Sequence, residues 1–222
     1  MKELETATLF DLSHTIAKKQ LQQTRYPHEA LSMIGAWILA IGKELDADKF
    51  YSPAPDVWIA RSATLAPTAL IKGPCIIDED AELRHCAFVR GNAIIGKGAV
   101  VGNSTELKNA ILFDGAQVPH YNYVGDSILG YRTHMGAGAI TSNVKGDKTP
   151  VVIKNEDTYL PTERKKVGAM LGDFAEIGCG CVLNPGTVVG KNTQIYPLTA
   201  VRGTLPPNSI CKDAETVVRR KS

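Results

Sequence analysis

Apolar side chains return at every sixth position from Ile59 to Phe113, through Leu65, Ile71, Ile77, Leu83, Val89, Ile95, Val101 and Leu107. The beat resumes at Leu171 and runs through Ile177, Leu183, Val189, Ile195 and Val201. A small residue often stands two places earlier, as at Ala63, Ala69, Cys75, Ala81, Ala87, Ala93 and Ala99. This spacing is a hexapeptide repeat. Each unit supplies one short strand and a corner, and three units close one triangular turn of a parallel β-helix. The bulky residue fills the axis of the prism. The small one points inward beside it, where a second large side chain would overpack. Coil upon coil then buries a continuous core that no single repeat buries alone. Residues eighteen apart should lie above one another, which makes linear spacing a map of the outer surface.

Residues 1 to about 50 lack the hexad. From His28 to Leu45 the apolar positions Leu31, Ile34, Trp37, Ile38, Ile41 and Leu45 follow a helical spacing, and a shorter helix fits Thr15 to Gln22. These helices are expected to cap the open end of the solenoid, whose terminal coil would otherwise expose unpaired backbone. Tyr51 to Asp56 reads as the hinge into a β-helix domain covering residues 51–222. Between Phe113 and Leu171 the strict period fails, although Leu129, Met135 and Thr141 keep it locally. The polar stretch from about 143 to 167 reads as a loop ejected from the coil, long enough to carry function. Its run Arg164-Lys165-Lys166 is either solvated or a contact for an anion. The chain ends in a short basic tail, VVRRKS, read as a frayed end.

Across 222 residues, 44% of them hydrophobic, one repeat domain and a small cap suffice. A formal net charge of +2 makes no electrostatic case for nucleic acid, and no window approaches the roughly 18 apolar residues of a membrane span. The start MKELETATLFDL does not read as a secretory signal, so a cytoplasmic location is expected. Five cysteines, without a CxxC pair, read as small buried hydrophobes, with Cys75 and Cys181 in inward slots. Cys179 and Cys181, two apart, are expected on one side of a strand.

Arg90 and Lys108 are eighteen apart, each just after an inward residue. They should stack on one outer corner about one strand spacing apart, a pair suited to a phosphate. The alternative is pairing with a neighbour, Glu106 being available to Lys108. His120 stands twelve residues after Lys108, beside two tyrosines, and is the natural general base, although a lone histidine also serves structure. A zinc site is not expected from His85, His120 and His134, because no two histidines are five apart as the trimeric hexapeptide-repeat carbonic anhydrases require.

The stretch VPHYNYVGDSILGYRTHMGAGAITSNVKGDKT closely resembles the acetyltransferase half of the bifunctional N-acetylglucosamine-1-phosphate uridyltransferases. His120, Tyr123, Gly125, Asp126, Gly130, Gly136, Ala137, Gly138, Ile140, Thr141 and Asn143 fall in place without a gap, and Arg90 and Lys108 stand at matching distances upstream. The resemblance runs from about Ile71 to the end, and the long loop followed by ERKKVGAMLGD is more like the archaeal branch. It implies an all-β solenoid built as a left-handed parallel β-helix, a homotrimer, and acetyl-CoA as co-substrate for N-acetylation of an amino-sugar phosphate or a nucleotide-linked amino sugar. It further implies that Arg90 and Lys108 hold the sugar phosphate and that His120 takes the proton from the attacking amine. Tyr123 and Asn143 would orient the sugar. Ala137 would line the thioester end of the CoA channel, and Cys179 aligns with a serine near CoA.

Two positions depart from the pattern. His134 stands where the family has asparagine, and Val144 where it often has tyrosine, which puts the acceptor in question. No Gly-rich nucleotide loop precedes the repeat, so uridyltransferase activity is not expected. Two other readings compete with the N-acetyltransferase: a non-catalytic protein that binds sugar phosphate or nucleotide sugar, and an acyltransferase with another acceptor, such as an amino acid.

Overall fold

The computed structural model describes residues 1–220. Three parallel ladders form the walls of a triangular prism, and the expected all-β solenoid is the observed fold class. On the first wall Ile59, Ile77, Ile95, Leu112, Leu129, Leu171, Val189 and Leu205 stack in register. On the second, Leu65, Leu83, Val101 and Val118 do so, followed by Met135, Ile177, Ile195 and Cys211. The third carries Ile71, Val89, Leu107 and Val124, then Thr141, Leu183 and Val201. All these residues but Leu65, Ile71 and Thr141 belong to one buried apolar cluster, and Leu65 and Ile71 pack against it.

One hexad position is corrected. Phe113 does not enter the axis; Leu112 does, pairing with Ile95 seventeen positions earlier. The turn from Val89 to Ile95 contains Gly91 at φ +99° before Asn92, whereas Lys108 is followed directly by Asn109. Without the glycine the corner tightens, and Glu106–Leu112 becomes one continuous strand running from the third wall into the first. Tyr123–Leu129 repeats this in the next turn. Phe113 is displaced outside the prism, where its ring lies 5.1 Å from that of Phe10.

The helices do not cover the open end. The 3-10 helix Pro27–Ser32 and the α-helix Ile34–Glu44 lie along the side of the prism, the latter against the first wall. There Leu31, Ile34, Trp37, Ile38 and Ile41 pack with the outward residues Ile76, Ile94, Ile111 and Ile128. The cause is written in the strand triplets. Cys75-Ile76-Ile77, Ala93-Ile94-Ile95 and Ala110-Ile111-Leu112 are apolar at both parities, the pattern of a strand buried on both faces. Each fully buried aliphatic side chain contributes about 1.5–3 kcal/mol, enough to draw the helices onto this wall. Gly42 permits the approach, because a Cβ there would meet the Trp58 ring.

At each end one wall edge is covered by a strand. Phe50–Ala54, overlapping the supposed hinge, pairs antiparallel with Val57–Ala60. Val217–Arg219, within the supposed frayed tail, pairs antiparallel with Ser209–Cys211, and the last two residues of that tail lie outside the described residues. Both additions occupy backbone that would otherwise be an open edge. Among the described residues, no helix is long and apolar enough to cross a membrane.

The chain leaves the coil after Ile140–Thr141 and returns at Ala169–Leu171. Val167 N–H donates to the Asn143 carbonyl at 3.0 Å, closing the base of the excursion. Within it Val152–Asn155 and Thr158–Pro161 form an antiparallel hairpin. The hairpin folds back on the prism, burying Val151 and Ile153 beside Val188.

Candidate active site

The corner between the third and first walls carries the acceptor-site candidates. Asn92, Asn109 and Asp126 occupy it on successive turns, all left-handed with φ near +50°. Asn and Asp adopt that conformation more readily than other residues with a Cβ. Arg90 and Lys108 stand on the same corner, as the register of Val89 with Leu107 requires. Each cation already faces a carboxylate. Arg90 Nη1 lies 2.6 Å from Glu106 Oε1, and Lys108 Nζ lies 3.5 Å from Asp126 Oδ2. Glu106 therefore serves Arg90 and not Lys108, and its hydrogen bond raises the Arg90 pKa above the ordinary guanidinium value.

Asp126 is the hub of this corner, and the motif had counted it only as a matching position. It is 3% exposed. Its Oδ1 accepts from Asn109 Nδ2 at 2.8 Å, and its Oδ2 accepts from Asn143 Nδ2 at 2.6 Å. Asn109 also donates to the Leu31 carbonyl at 3.0 Å, so the helical segment is tied directly to the corner. Asn143 Nδ2 reaches Tyr123 Oη at 3.3 Å. Burial raises the Tyr123 phenol pKa, helped by the negative charges of Asp126 and Glu106. The phenol is therefore held neutral, able to donate or accept a hydrogen bond. A sequence signal for Asp126 existed: Asn92, Asn109 and Asp126 each directly precede a first-wall triplet.

His120 is not part of this network. It lies on the opposite edge of the third wall, at the corner shared with the second, and its side chain is exposed. There its carbonyl accepts from Gly138 N–H at 3.0 Å, and the Ala137 carbonyl accepts from Gly180 N–H at 2.8 Å. His120, Ala137 and Cys179 thus stand on successive turns of one corner. Asn122, buried and missed from sequence, fixes this column: its Oδ1 accepts from His120 N–H, and its Nδ2 donates to the Gly136 and Ala139 carbonyls. Cys179 is exposed on the turn while Cys181 points into the core, so the two do not share one side of a strand. The corner makes a sharp turn at left-handed Tyr121 and Leu198, both strongly exposed, at 66% and 84%. His134 sits on the second wall and pairs with Glu176 at 3.0 Å.

The chain therefore offers two chemically distinct corners. One presents an exposed imidazole above a stack of turns whose small residues admit close approach of a ligand to the backbone. The other presents cations, a buried carboxylate, a phenol and an amide. Both flank the third wall.

Residues 71–160 match the family described as the GMPPB C-terminal domain. The bifunctional protein GlmU of Methanococcus maripaludis is 33% identical over 167 residues, covering 75% of this chain and 40% of that protein. The putative uncharacterized acetyltransferase YaiX of Escherichia coli K12 is 29% identical over 153 residues, covering 69% of this chain and 66% of that protein. The acetyltransferase domain of PglB from Neisseria gonorrhoeae, solved with acetyl coenzyme A, is 17% identical with a TM-score of 0.31, over 78% of this chain and 60% of that one. The chain spans between a third and two fifths of the length of the Methanococcus maripaludis GlmU proteins it matches. By sequence, the chain is similar to GlmU-type bifunctional proteins, those of Methanococcus included, along a part of their length.

Proposed function

We propose that the protein is an acetyl-CoA-dependent N-acetyltransferase whose acceptor is a phosphorylated or nucleotide-linked amino sugar. The observation that carries this reading is the ordered corner of Lys108, Tyr123, Asp126 and Asn143, placed across one wall from an exposed His120. Arg90 and Lys108 bind the phosphate, exchanging part of their contact with Glu106 and Asp126 for it. Tyr123 and Asn143 hydrogen-bond the sugar ring. Acetyl-CoA lies along the corner of Ala137 and Cys179, with its thioester toward His120.

The chemistry needs no covalent enzyme intermediate. The neutral amine attacks the thioester carbonyl and forms the C–N bond. His120 removes the nitrogen-bound proton, the C–S bond breaks, and the proton passes to the departing CoA thiolate. The separation of the two corners within one chain supports a homotrimer as the working unit. A head-to-tail ring of three prisms sets the His120 corner of one chain against the Lys108 corner of the next and closes on itself.

Thiol release from acetyl-CoA in the presence of a panel of amino-sugar phosphates and nucleotide amino sugars tests the reading. Acceptor-dependent release is expected, and His120→Ala lowers turnover about a hundredfold or more with the fold intact. Unchanged turnover in that variant removes His120 from the mechanism. No release with any acceptor, alongside thermal stabilisation by a sugar phosphate and none by CoA, favours a binding protein.

A further inference from the structure

Beyond Asn143 lies a cleft that the reading above leaves unused. It is bounded by the base of the excursion, its hairpin and the two following turns of the third-to-first corner, and it encloses about 600 Å³. Small-molecule sites span roughly 300–1,000 Å³. Its cations are Lys145, Lys154 and Arg202, against a single carboxylate, Asp147. Asp147 is already engaged by Lys145 and by the backbone and hydroxyl of Thr149. Lys154 and Arg202 enter no ion pair among the described residues. Arg90 and Lys108, by contrast, each face a carboxylate. Within the cleft Lys154 and Arg202 are thus free to receive an anion, and neither belongs to the Arg164-Lys165-Lys166 run that the sequence brings to notice.

Tyr159 lines the same cleft and is 60% exposed. A bare aromatic face beside unpaired cations stacks on a nucleobase while the cations take its phosphates. The walls are preformed. Thr204 Oγ1 donates to the Lys154 carbonyl at 2.9 Å, and left-handed Gly186 and Gly203 let the hairpin seat: a Cβ on Gly186 would stand 2.8 Å from Val151. Lys108, Gly125, Ser142 and Asn184 occupy successive turns of this corner. At ~4.8 Å per turn, Asn184 lies about 14 Å along the corner from Lys108. A sugar monophosphate anchored at Lys108 stops short of the cleft. A sugar held at Tyr123 and Asn143 and joined through a diphosphate to a nucleoside reaches into it, with Lys108 then facing the sugar hydroxyls and the diphosphate lying in the cleft.

We propose that the cleft is a nucleoside diphosphate subsite and that the acceptor is a nucleotide-linked amino sugar, with Lys154 and Arg202 on the phosphates and Tyr159 against the base. The assignment of the sugar rests on the acyltransfer reading; the assignment of the nucleotide does not. Calorimetric titration of the full chain with UDP, GDP, CDP and dTDP, with inorganic pyrophosphate and glucosamine-1-phosphate as comparison ligands, tests it. At least one nucleoside diphosphate is expected to bind about tenfold or more tightly than pyrophosphate. Tyr159→Ala removes that advantage and leaves pyrophosphate binding unchanged, while Lys154→Met with Arg202→Met weakens both about tenfold. In thiol release, both variants raise KM for the nucleotide-linked acceptor and spare kcat. Nucleoside diphosphates that bind no better than pyrophosphate, or bind regardless of Tyr159→Ala, overturn the proposal. Acetyl transfer to a sugar monophosphate without nucleotide binding keeps the acyltransfer reading and overturns the subsite. Nucleotide binding lost in these variants, without transfer to any acceptor, keeps the subsite and overturns the acyltransfer.

Discussion

The first and third walls of the prism each turn a column inward, aliphatic throughout on the first and broken only by Thr141 on the third, and differ in what they turn outward. The first presents Ile76, Ile94, Ile111 and Ile128, and the helical segment covers them. The third presents Phe88, Glu106, Tyr123 and Ile140, which remain half-buried. The inward column therefore sets the fold, while the outward row decides whether a wall becomes a second core or a surface on which ligands bind. The corner between them belongs to both, because Asn109 bonds a helical-segment carbonyl on one side and Asp126 on the other.

Breaking the comparison at its strongest point gives the largest effect. Ile94→Asp places a carboxylate without a partner between the first wall and the helix, and should cost about 3–5 kcal/mol in chemical denaturation. Glu106→Ala on the third wall, losing only an exposed ion pair, should stay within about 1 kcal/mol. Equal losses would mean that the two walls are not differently loaded. At the shared corner, Asp126→Ala removes the carboxylate that Lys108, Asn109 and Asn143 share and should cost about 1–3 kcal/mol. It should also raise KM for the acceptor more than that for acetyl-CoA, a split that simple loss of fold stability would not produce.

The smallest effect concerns His28, buried under the first-wall cover with an unpartnered Nδ1. Burial lowers its pKa below the ordinary 6.5, against a raising contribution from Glu29. The unfolded chain then binds a proton that the folded chain refuses. Stability from this group is complete above about pH 6.5 and is lost as pH falls toward the lowered folded value. The thermal midpoint should fall between pH 7 and 5, and His28→Leu should flatten that slope. An unchanged slope would place the acid sensitivity elsewhere.

The placement of much of the candidate site was legible because its residues lie in the regular part of the coil. Arg90 and Lys108 each follow an inward residue, and the register stacks them as the spacing implies. Asp126 and Asn122 were less legible. Their roles depend on hydrogen bonds to residues such as Asn143 and Gly136, on neighbouring turns of the coil, and single-residue properties do not announce such contacts. Phe113 shows the limit of a period: deleting one corner glycine shifts the frame, and only pairing with Ile95 reveals that Leu112 has taken the inward place.

The sequence by itself determined the repeat, the identity of most core positions and the resemblance to the acetyltransferase motif, because a six-residue period is a local property that each unit states again. Tertiary structure alone decided where the helices rest, how the excursion folds back over Gly186 and Gly203, and which carboxylate each cation faces. Those outcomes depend on contacts between segments far apart in the chain, where competing apolar surfaces and charge partners are compared only once the prism has formed.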